Sequence, residues 1–107
     1  MPPLPKPTPR AKAKAAAKRR QAKADRAVYA AVTARDGGVC RGCGTPDWMG
    51  THERHHIVYR SRGGKTTRSN VALLCLACHA DVHAGRLRIS GDADGVLTFT
   101  ETRQEVA

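Results

Sequence analysis

The chain has 107 residues, enough for one domain, and only four aromatic side chains, so its hydrophobic core must be thin. Lysine and arginine number 19 against nine aspartate and glutamate, and the formal net charge of +10 predicts attraction to polyanions such as nucleic acid. The longest stretch without a charged side chain, Ser69 to Ala80, is well short of the roughly 20 residues that a bilayer crossing needs. With no secretory signal pattern at the start, we expect a cytoplasmic protein that is neither secreted nor membrane-spanning.

The positive charge is concentrated at the start of the chain. Residues 1–27 hold nine basic residues and one acidic residue, a net of +8, whereas residues 28–107 hold ten and eight, a net of +2. Prolines within the first nine residues predict an extended lead, and the stretch from Arg10 to Asp25 predicts a marginal helix without an apolar face. Its cations could neutralise DNA phosphates, and a solvated tail is the alternative. We therefore divide the chain into a basic tail rich in Pro, Ala and Lys, 1–27, disordered or helical, and a domain over 28–107.

The elements of the domain follow from hydrophobic periodicity and turn residues. A short helix over Ala27 to Arg35 ends at two glycines, and a strand is expected through residues 55–58. An extended segment over Ser69 to Cys75 then leads into a helix over Leu76 to Ala84. Alternating residues on both sides of a glycine-bounded turn predict a C-terminal β-hairpin over 86–100. Its apolar side would carry Leu87, Ile89, Leu97 and Phe99.

Four cysteines form two pairs with the spacing of zinc knuckles. The pairs are Cys40-x2-Cys43 and Cys75-x2-Cys78, and a two-residue gap lets a tight turn aim both sulfurs at one tetrahedral ion. In a reducing compartment this predicts one structural Zn²⁺ site, with two disulfides or four unrelated thiols as alternatives. A two-Cys, two-His finger does not fit, because Cys78 and His79 are adjacent.

All five histidines fall between residues 52 and 83, and three of them are spaced like metal ligands. His79 and His83 stand four apart on the predicted helix, so their imidazoles share one face. His55 on the preceding strand would supply a third ligand, and three protein ligands with open positions are typical of a catalytic metal. His56 would then lie beside the bound phosphate, where a neutral imidazole with a pKa near 6.5 can act as a general base.

The residues around these histidines carry weaker signals, and each has more than one interpretation. Trp48 could stack on a base, but a lone tryptophan in a small domain is more often a packing anchor, and His52 is expected on the surface. Glu53, two positions before His55 on the same strand face, could orient a histidine or an arginine. Phosphate contacts are expected from the loop after His56, with a solvated basic loop as the alternative. The basic residues of that loop are Arg60, Arg62, Lys65 and Arg68.

The order and spacing of these residues resemble the HNH nucleases, whose core is the ββα-metal or His-Me finger. The matching positions are Glu53-x-His55-His56-Ile57, Arg60-Ser-Arg-Gly-Gly64, Asn70, Leu73-Leu-Cys75-x2-Cys78-His79 and His83. The resemblance covers about residues 36–85 and includes the cysteine pairs of the zinc-stabilised branch. It implies a small α+β fold: a ββα-metal core over 36–85 with a four-cysteine zinc-knuckle site, an N-terminal basic helix or tail and the C-terminal hairpin.

The resemblance also implies roles for individual residues. His55, His79 and His83 would bind the catalytic divalent ion, His56 would be the general base, and Asn70 a structural polar residue that pins the loop. Many members have Asp where His55 stands. The all-histidine set is more like the colicin-type nucleases and leaves the ion open among Mg²⁺, Mn²⁺, Ni²⁺ and Zn²⁺.

We therefore expect a metal-dependent endonuclease that hydrolyses double-stranded DNA, by nicking or double-strand cleavage, and leaves a 5′ phosphate and a 3′ hydroxyl. The short length, the basic start and the hairpin also resemble those of small HNH proteins of bacteriophages. By this analogy we expect the DNA-packaging terminase and portal proteins as candidate partners, in the cytoplasm of the host cell. Monomer and weak dimer both remain open. The alternative is a non-catalytic zinc module that binds DNA or a protein partner, and a third candidate is an RNA-directed nuclease or toxin.

Overall fold

The fold is a small α+β arrangement in which a two-stranded sheet packs against one long helix, and a short helix connects that sheet to a C-terminal hairpin. The computed structural model describes residues 1–102. Its elements in chain order are α1 (Pro9–Asp36), β1 (Glu53–His56), β2 (Val71–Leu74), α2 (Leu76–His83), β3 (Leu87–Gly91) and β4 (Leu97–Glu101), with single 3₁₀ turns at Arg60–Arg62 and Arg68–Asn70. The α+β class expected from the sequence is confirmed. Among the described residues, no helix combines the length and the apolar character that a membrane crossing requires.

The first helix is longer than the sequence predicted. α1 runs from Pro9 to Asp36, so the marginal helix and the short helix of the sequence analysis are one element. Alanine, lysine and arginine on both sides of residue 27 are strong helix formers and offer no break. The Thr8 side chain accepts the Ala11 amide at 3.0 Å at the N-terminus, and Gly37 ends the helix with φ of 63°. The division of the chain at residue 27 stays a prediction.

β1, β2 and α2 form a compact ββα unit. β1 pairs antiparallel with β2, which places His55 opposite Ala72 and His56 opposite Val71. All four residues of β2 are buried, and Cys75 joins this strand directly to α2. β1 ends at His56, two residues earlier than predicted, because the chain then bends around Asn70.

The C-terminal hairpin is confirmed and covers the buried cysteines. β3 pairs antiparallel with β4, and Ile89 lies opposite Phe99. The buried cluster beneath it consists of Cys40, Leu74, Cys75 and Cys78, and the partly buried side chains packed against that cluster are Val82, Leu87, Ile89 and Phe99. Three of the four residues in the cluster are cysteines, so the core is as thin as the composition predicts.

The C-terminal end of α1 is fixed to β2 by a buried carboxylate. The Asp36 side chain is 1% exposed and accepts hydrogen bonds from Arg35 Nε at 2.8 Å, Arg41 Nη1 at 2.9 Å and the Leu73 amide at 3.0 Å. Burial alone would raise the pKa of Asp36, but the hydrogen bonds from Arg35, the Leu73 amide and Arg41 outweigh it and lower that pKa. Val32 of α1 is fully buried. Together these contacts set the direction in which α1 leaves the domain.

Candidate functional site

Three imidazoles converge at one end of the ββα unit. β1 supplies His55, which is buried, and one turn of α2 separates His79 from His83 so that both project from the same face. The ligand nitrogens of the three lie within 4.8 Å of one another, and Nε2 of His79 is 3.0 Å from Nε2 of His83. Three tetrahedral nitrogens bonded to one ion at about 2.1 Å would stand about 3.4 Å apart. The three residues therefore fit a single divalent ion, and the structure brings together the three histidines that the sequence singled out.

The lowered pKa values of His55 and His79 also suit metal binding. Burial, reinforced by the neighbouring imidazoles of His79, His83 and His56, lowers the pKa of His55 to about 4. Burial followed by the charge of His83 lowers the pKa of His79, while the carboxylate of Glu53 opposes this shift. Neutral imidazoles have a free lone pair, which is the form that binds a metal ion.

His56 lies next to His55 on β1 but contacts a different set of residues. Its Nε2 is 2.8 Å from the Thr66 hydroxyl and 3.4 Å from Arg60 Nε, and its ring meets that of Tyr29 edge-on at 6.3 Å. Arg60 Nη2 in turn donates to Thr66 Oγ1 at 2.7 Å, to Asp25 Oδ2 at 3.0 Å and to the Tyr29 hydroxyl at 3.1 Å. Burial and then the Arg60 charge lower the pKa of His56, while Asp25 opposes them. Near neutral pH this leaves His56 able to accept a proton.

His56 and the three converging histidines open onto one shallow depression of about 190 Å³. Its lining consists of Arg54, His55, His56, Tyr59, Arg60, His79 and His83. Tyr59 stacks on His83 with ring centroids 5.8 Å apart and meets His55 edge-on at 5.7 Å, so it braces two of the three imidazoles. The depression thus brings candidate ligands, a candidate base and two guanidinium groups to one surface.

Sequence reasoning missed five residues around this site: Asp25, Tyr29, Arg54, Tyr59 and Thr66. Tyr59 follows the double histidine by three positions, and an aromatic so close to the motif was a usable signal. Nothing in the pattern pointed to Thr66, a loop residue ten positions after His56, or to the two α1 residues, which are distant in sequence.

Asn70 holds the loop that follows β1. Its side-chain Oδ1 accepts the Val58 amide at 2.9 Å, and its Nδ2 donates to the carbonyl oxygens of Val58 at 3.0 Å and Lys65 at 2.8 Å. The Asn70 carbonyl accepts the Ile57 amide at 2.8 Å. One side chain thus joins both ends of the loop between residues 58 and 65, beside the candidate base.

The four basic residues of this loop region are not brought to one place. Arg60 contacts His56 and also lines a groove together with Lys65. Arg62 lines a different groove together with His55. Arg68 turns away, because its Nε lies 3.4 Å from Asp94 Oδ1 in the β3–β4 turn.

Glu53 lies at the start of β1 and is exposed. Within residues 1–102 its carboxylate makes no hydrogen bond or ion pair with another side chain. Its influence on the site is the electrostatic effect on the pKa of His79 described above.

The four cysteines form a second ligand cluster. Their sulfurs lie within 4.8 Å of one another, and Sγ of Cys43 is 3.6 Å from Sγ of Cys75, much farther than the roughly 2.05 Å of a disulfide. Within residues 1–102 all four cysteines are free, so the disulfide alternative is wrong. Backbone amides point at two sulfurs, Gly42 N to Cys40 at 3.3 Å and Cys78 N to Cys75 at 3.4 Å. Such donors stabilise thiolates, and the donor set fits Zn²⁺.

The segment between the first cysteine pair and β1 corrects two expectations. Trp48 is 84% exposed, so the prediction of a packing anchor is wrong. His52 was expected on the surface, yet its side chain is 5% exposed, with Nε2 2.8 Å from the Thr45 carbonyl and Nδ1 3.4 Å from Asp47 Oδ1. The buried His52 side chain therefore stabilises this loop, and Trp48 is exposed on its surface.

Comparison with known proteins agrees with this geometry. Residues 40–85 match the family model described as HNH endonuclease. The chain is also 32% identical over 65 residues to EcoKMcrA, a Type IV methyl-directed restriction enzyme of Escherichia coli (strain K12); the match covers 55% of this chain and 24% of that enzyme. The chain therefore spans about a quarter of the length of that relative. No solved structure matches the chain. The segment from residue 40 to residue 85, which carries all seven candidate metal ligands, is therefore similar to HNH endonucleases.

Proposed function

We propose that this protein is a metal-dependent endonuclease that hydrolyses phosphodiester bonds of DNA. The observation that carries the proposal is the convergence of three histidines beside a fourth, His56, in one surface depression. The similarity of residues 40–85 to HNH endonucleases supports hydrolysis of a phosphodiester as the reaction. DNA is favoured as the substrate by the similarity to a protein that is named a restriction enzyme and by the net charge of +10.

His55, His79 and His83 would hold the divalent ion of the reaction. When bound there, such an ion supplies positive charge that stabilises a phosphate and the departing 3′ oxygen. Three imidazoles without a carboxylate bind Ni²⁺ or Zn²⁺ more tightly than Mg²⁺ or Mn²⁺, so we expect affinity to follow that order. Tyr59 keeps the His55 and His83 rings in place through its two aromatic contacts.

His56 would take the proton from the attacking water. Its Nε2 lies 2.8 Å from the Thr66 hydroxyl and 3.4 Å from Arg60 Nε, and these two contacts would hold the ring in position for this role. Asn70 would act indirectly, since it fixes the loop that carries Thr66 next to β1. Arg60, which lines the depression, is placed to contact a phosphate oxygen there.

The other predicted contacts are secondary to this assignment. Lys65 and Arg62 would contact phosphates on either side of the site, because each lines a groove next to it. Glu53 would tune His79 through its charge rather than by a hydrogen bond. Arg68, paired with Asp94, would hold the hairpin turn against the domain.

The four cysteines would hold a structural Zn²⁺. Three of them, Cys40, Cys75 and Cys78, belong to the buried cluster on which the hairpin packs, and the exposed Cys43 lies beside them. Structural zinc contributes roughly 10–16 kcal/mol of apparent binding free energy, which a core this small needs in order to fold. Bacteriophage origin and the terminase and portal partners stay predictions that rest on the resemblance alone.

The test is relaxation and linearisation of supercoiled plasmid by the purified, zinc-containing protein. Loosely bound metal is removed by brief chelation, retention of one zinc per chain is verified, and Mg²⁺, Mn²⁺, Ni²⁺ or Zn²⁺ is added back. Cutting that requires added metal supports the proposal. Plasmid binding without cutting under any metal would instead favour the non-catalytic zinc module, and cleavage of RNA in place of DNA would favour the RNA-directed alternative.

A further inference from the structure

The N-terminal part of α1 is an exposed, strongly basic rod. Eight lysines and arginines lie between Arg10 and Arg26, and all eight are exposed. The same stretch contains no apolar side chain larger than alanine before Val28. It therefore lacks the apolar face with which a helix inserts into a bilayer surface or pairs in a coiled coil. The exposed surface of this part of α1 therefore interacts with a partner mainly through its positive charge.

The one acidic residue of this stretch is engaged by the domain. Asp25 Oδ2 accepts from Arg60 Nη2 at 3.0 Å, Asp25 Oδ1 accepts from Gln21 Nε2 at 2.8 Å, and the side chain is 14% exposed. Asp25 thus contributes little negative potential to the exposed rod. It also joins α1 to the arginine that lies beside His56.

A groove runs from this junction along α1. Its volume is about 570 Å³, and it is lined by Gln21 and Asp25 of α1 and by Arg60, Gly64, Lys65, Thr66 and Thr67 of the opposite loop. Arg60 also lines the depression that holds the histidines. The groove and the depression are therefore neighbours on one surface, with Arg60 between them.

Six of the eight basic residues of this stretch define two faces relative to this groove. Successive residues of an α-helix are rotated by about 100°, which places the groove face, Arg10, Lys14 and Lys18, within about 60° of Asp25. The outer face, Lys12, Arg19 and Lys23, lies at least about 120° from Asp25. Because Asp25 contacts Arg60 of the domain, the groove face extends the line of the groove away from the histidines.

We propose that the groove face of α1 binds the sugar-phosphate backbone of duplex DNA and leads it along the groove to the histidine site. This inference rests on the proposed function, which makes DNA the substrate. From Arg10 to Asp25 the helix rises about 22 Å, the length of six to seven base pairs at about 3.4 Å each. Such backbone contacts position the duplex without reading its sequence.

Two triple variants with the same composition and charge test the assignment. The groove-face variant is Arg10→Ala, Lys14→Ala and Lys18→Ala, and the outer-face control is Lys12→Ala, Arg19→Ala and Lys23→Ala. Alanine favours helix, so α1 is expected to stay formed, which far-UV circular dichroism and zinc content check. Both are made in a His56→Ala background so that the labelled 30-base-pair duplex is not cut during fluorescence anisotropy titrations.

The expected result is a difference between the two faces. Loss of three phosphate contacts should reduce the slope of log affinity against log salt by about 2.7 in the groove-face variant. The outer-face control should lose less than about one unit of slope, since its charges act only through a screened field. Equal losses in both triples, or no loss in either, would overturn the proposal. So would groove-face-dependent binding that is tighter to duplex RNA or to phosphatidylglycerol vesicles than to DNA.

The outcome is separable from that of the proposed function. The titrations measure binding by a variant that does not need to cut, so a wild-type protein that fails to cleave plasmid overturns the nuclease while leaving the binding result standing. A cutting enzyme whose groove-face triple keeps the full salt slope overturns only the inference about α1.

Discussion

The hydroxyl of Thr66 offers a sharp test of how His56 is positioned. Thr66→Val keeps the shape of the side chain but removes the group that lies 2.8 Å from His56 Nε2 and 2.7 Å from Arg60 Nη2. The variant leaves the imidazole without its shortest polar contact and the guanidinium without one of its acceptors. If these losses raise the barrier by about 1–3 kcal/mol, kcat falls about 5- to 150-fold at 1.36 kcal/mol per tenfold.

The assay is the rate of single-turnover plasmid nicking at saturating protein and metal. Thr66→Ser retains the hydroxyl and should restore most of the wild-type rate, a rescue that a purely structural role would not require. Thr67→Val is the matched control, because the Thr67 hydroxyl contacts Ser69 at 3.2 Å and not His56. A folded, zinc-containing Thr66→Val protein that nicks at the wild-type rate would refute the reasoning.

Two further predictions concern what holds the domain together. Asp36→Asn should lower the free energy of unfolding at pH 7 by about 3–5 kcal/mol in urea titrations, because it removes the charge that Arg35 and Arg41 share. The control Asp81→Asn, at a partly exposed carboxylate, should lower it by less than about 1 kcal/mol, and equal losses in the two variants would contradict the assignment. Because the pKa of Asp36 is lowered by folding, this stabilisation should be complete above about pH 4 and disappear as the pH falls through the folded-state pKa, so the two proteins should converge in strong acid. Cys75→Ser should lose bound zinc and the cooperative melting transition together, as measured by zinc content and calorimetry; a folded variant with normal zinc and melting temperature would show that the cysteine cluster is not structural.

Local patterns in the sequence predict the parts of the structure that depend on spacing. The two-residue gaps of the cysteine pairs, the four-residue step from His79 to His83 and the alternation around residues 91–95 each reflect one period of a turn, helix or strand. Those periods decide which side chains share a face. The fold class, the hairpin and the convergence of the histidines could therefore be anticipated.

Long-range polar contacts could not be anticipated in the same way. Arg60 and Asp25 are separated by 35 positions, and no periodicity relates them. Asp36 looked like an ordinary charged residue at a helix end, yet it is buried. Besides the nearby Arg35 and Arg41, its carboxylate accepts the amide of Leu73, which is 37 positions away. The prediction that Trp48 is a packing anchor was wrong for a related reason. The buried imidazole of His52 stabilises the loop, so the tryptophan is not needed for packing.

The most direct test of the central claim is to separate binding from cutting at His56. His56→Ala and the wild-type protein are compared for zinc content, for affinity toward a labelled duplex and for the single-turnover rate of plasmid cleavage with the best metal. We expect the two proteins to have equal zinc content and equal affinity for the duplex. The cleavage rate of His56→Ala should be reduced at least about 10²-fold, the lower end of what a general base contributes. A folded His56→Ala protein that cuts at the wild-type rate would contradict the assignment of His56 as the base.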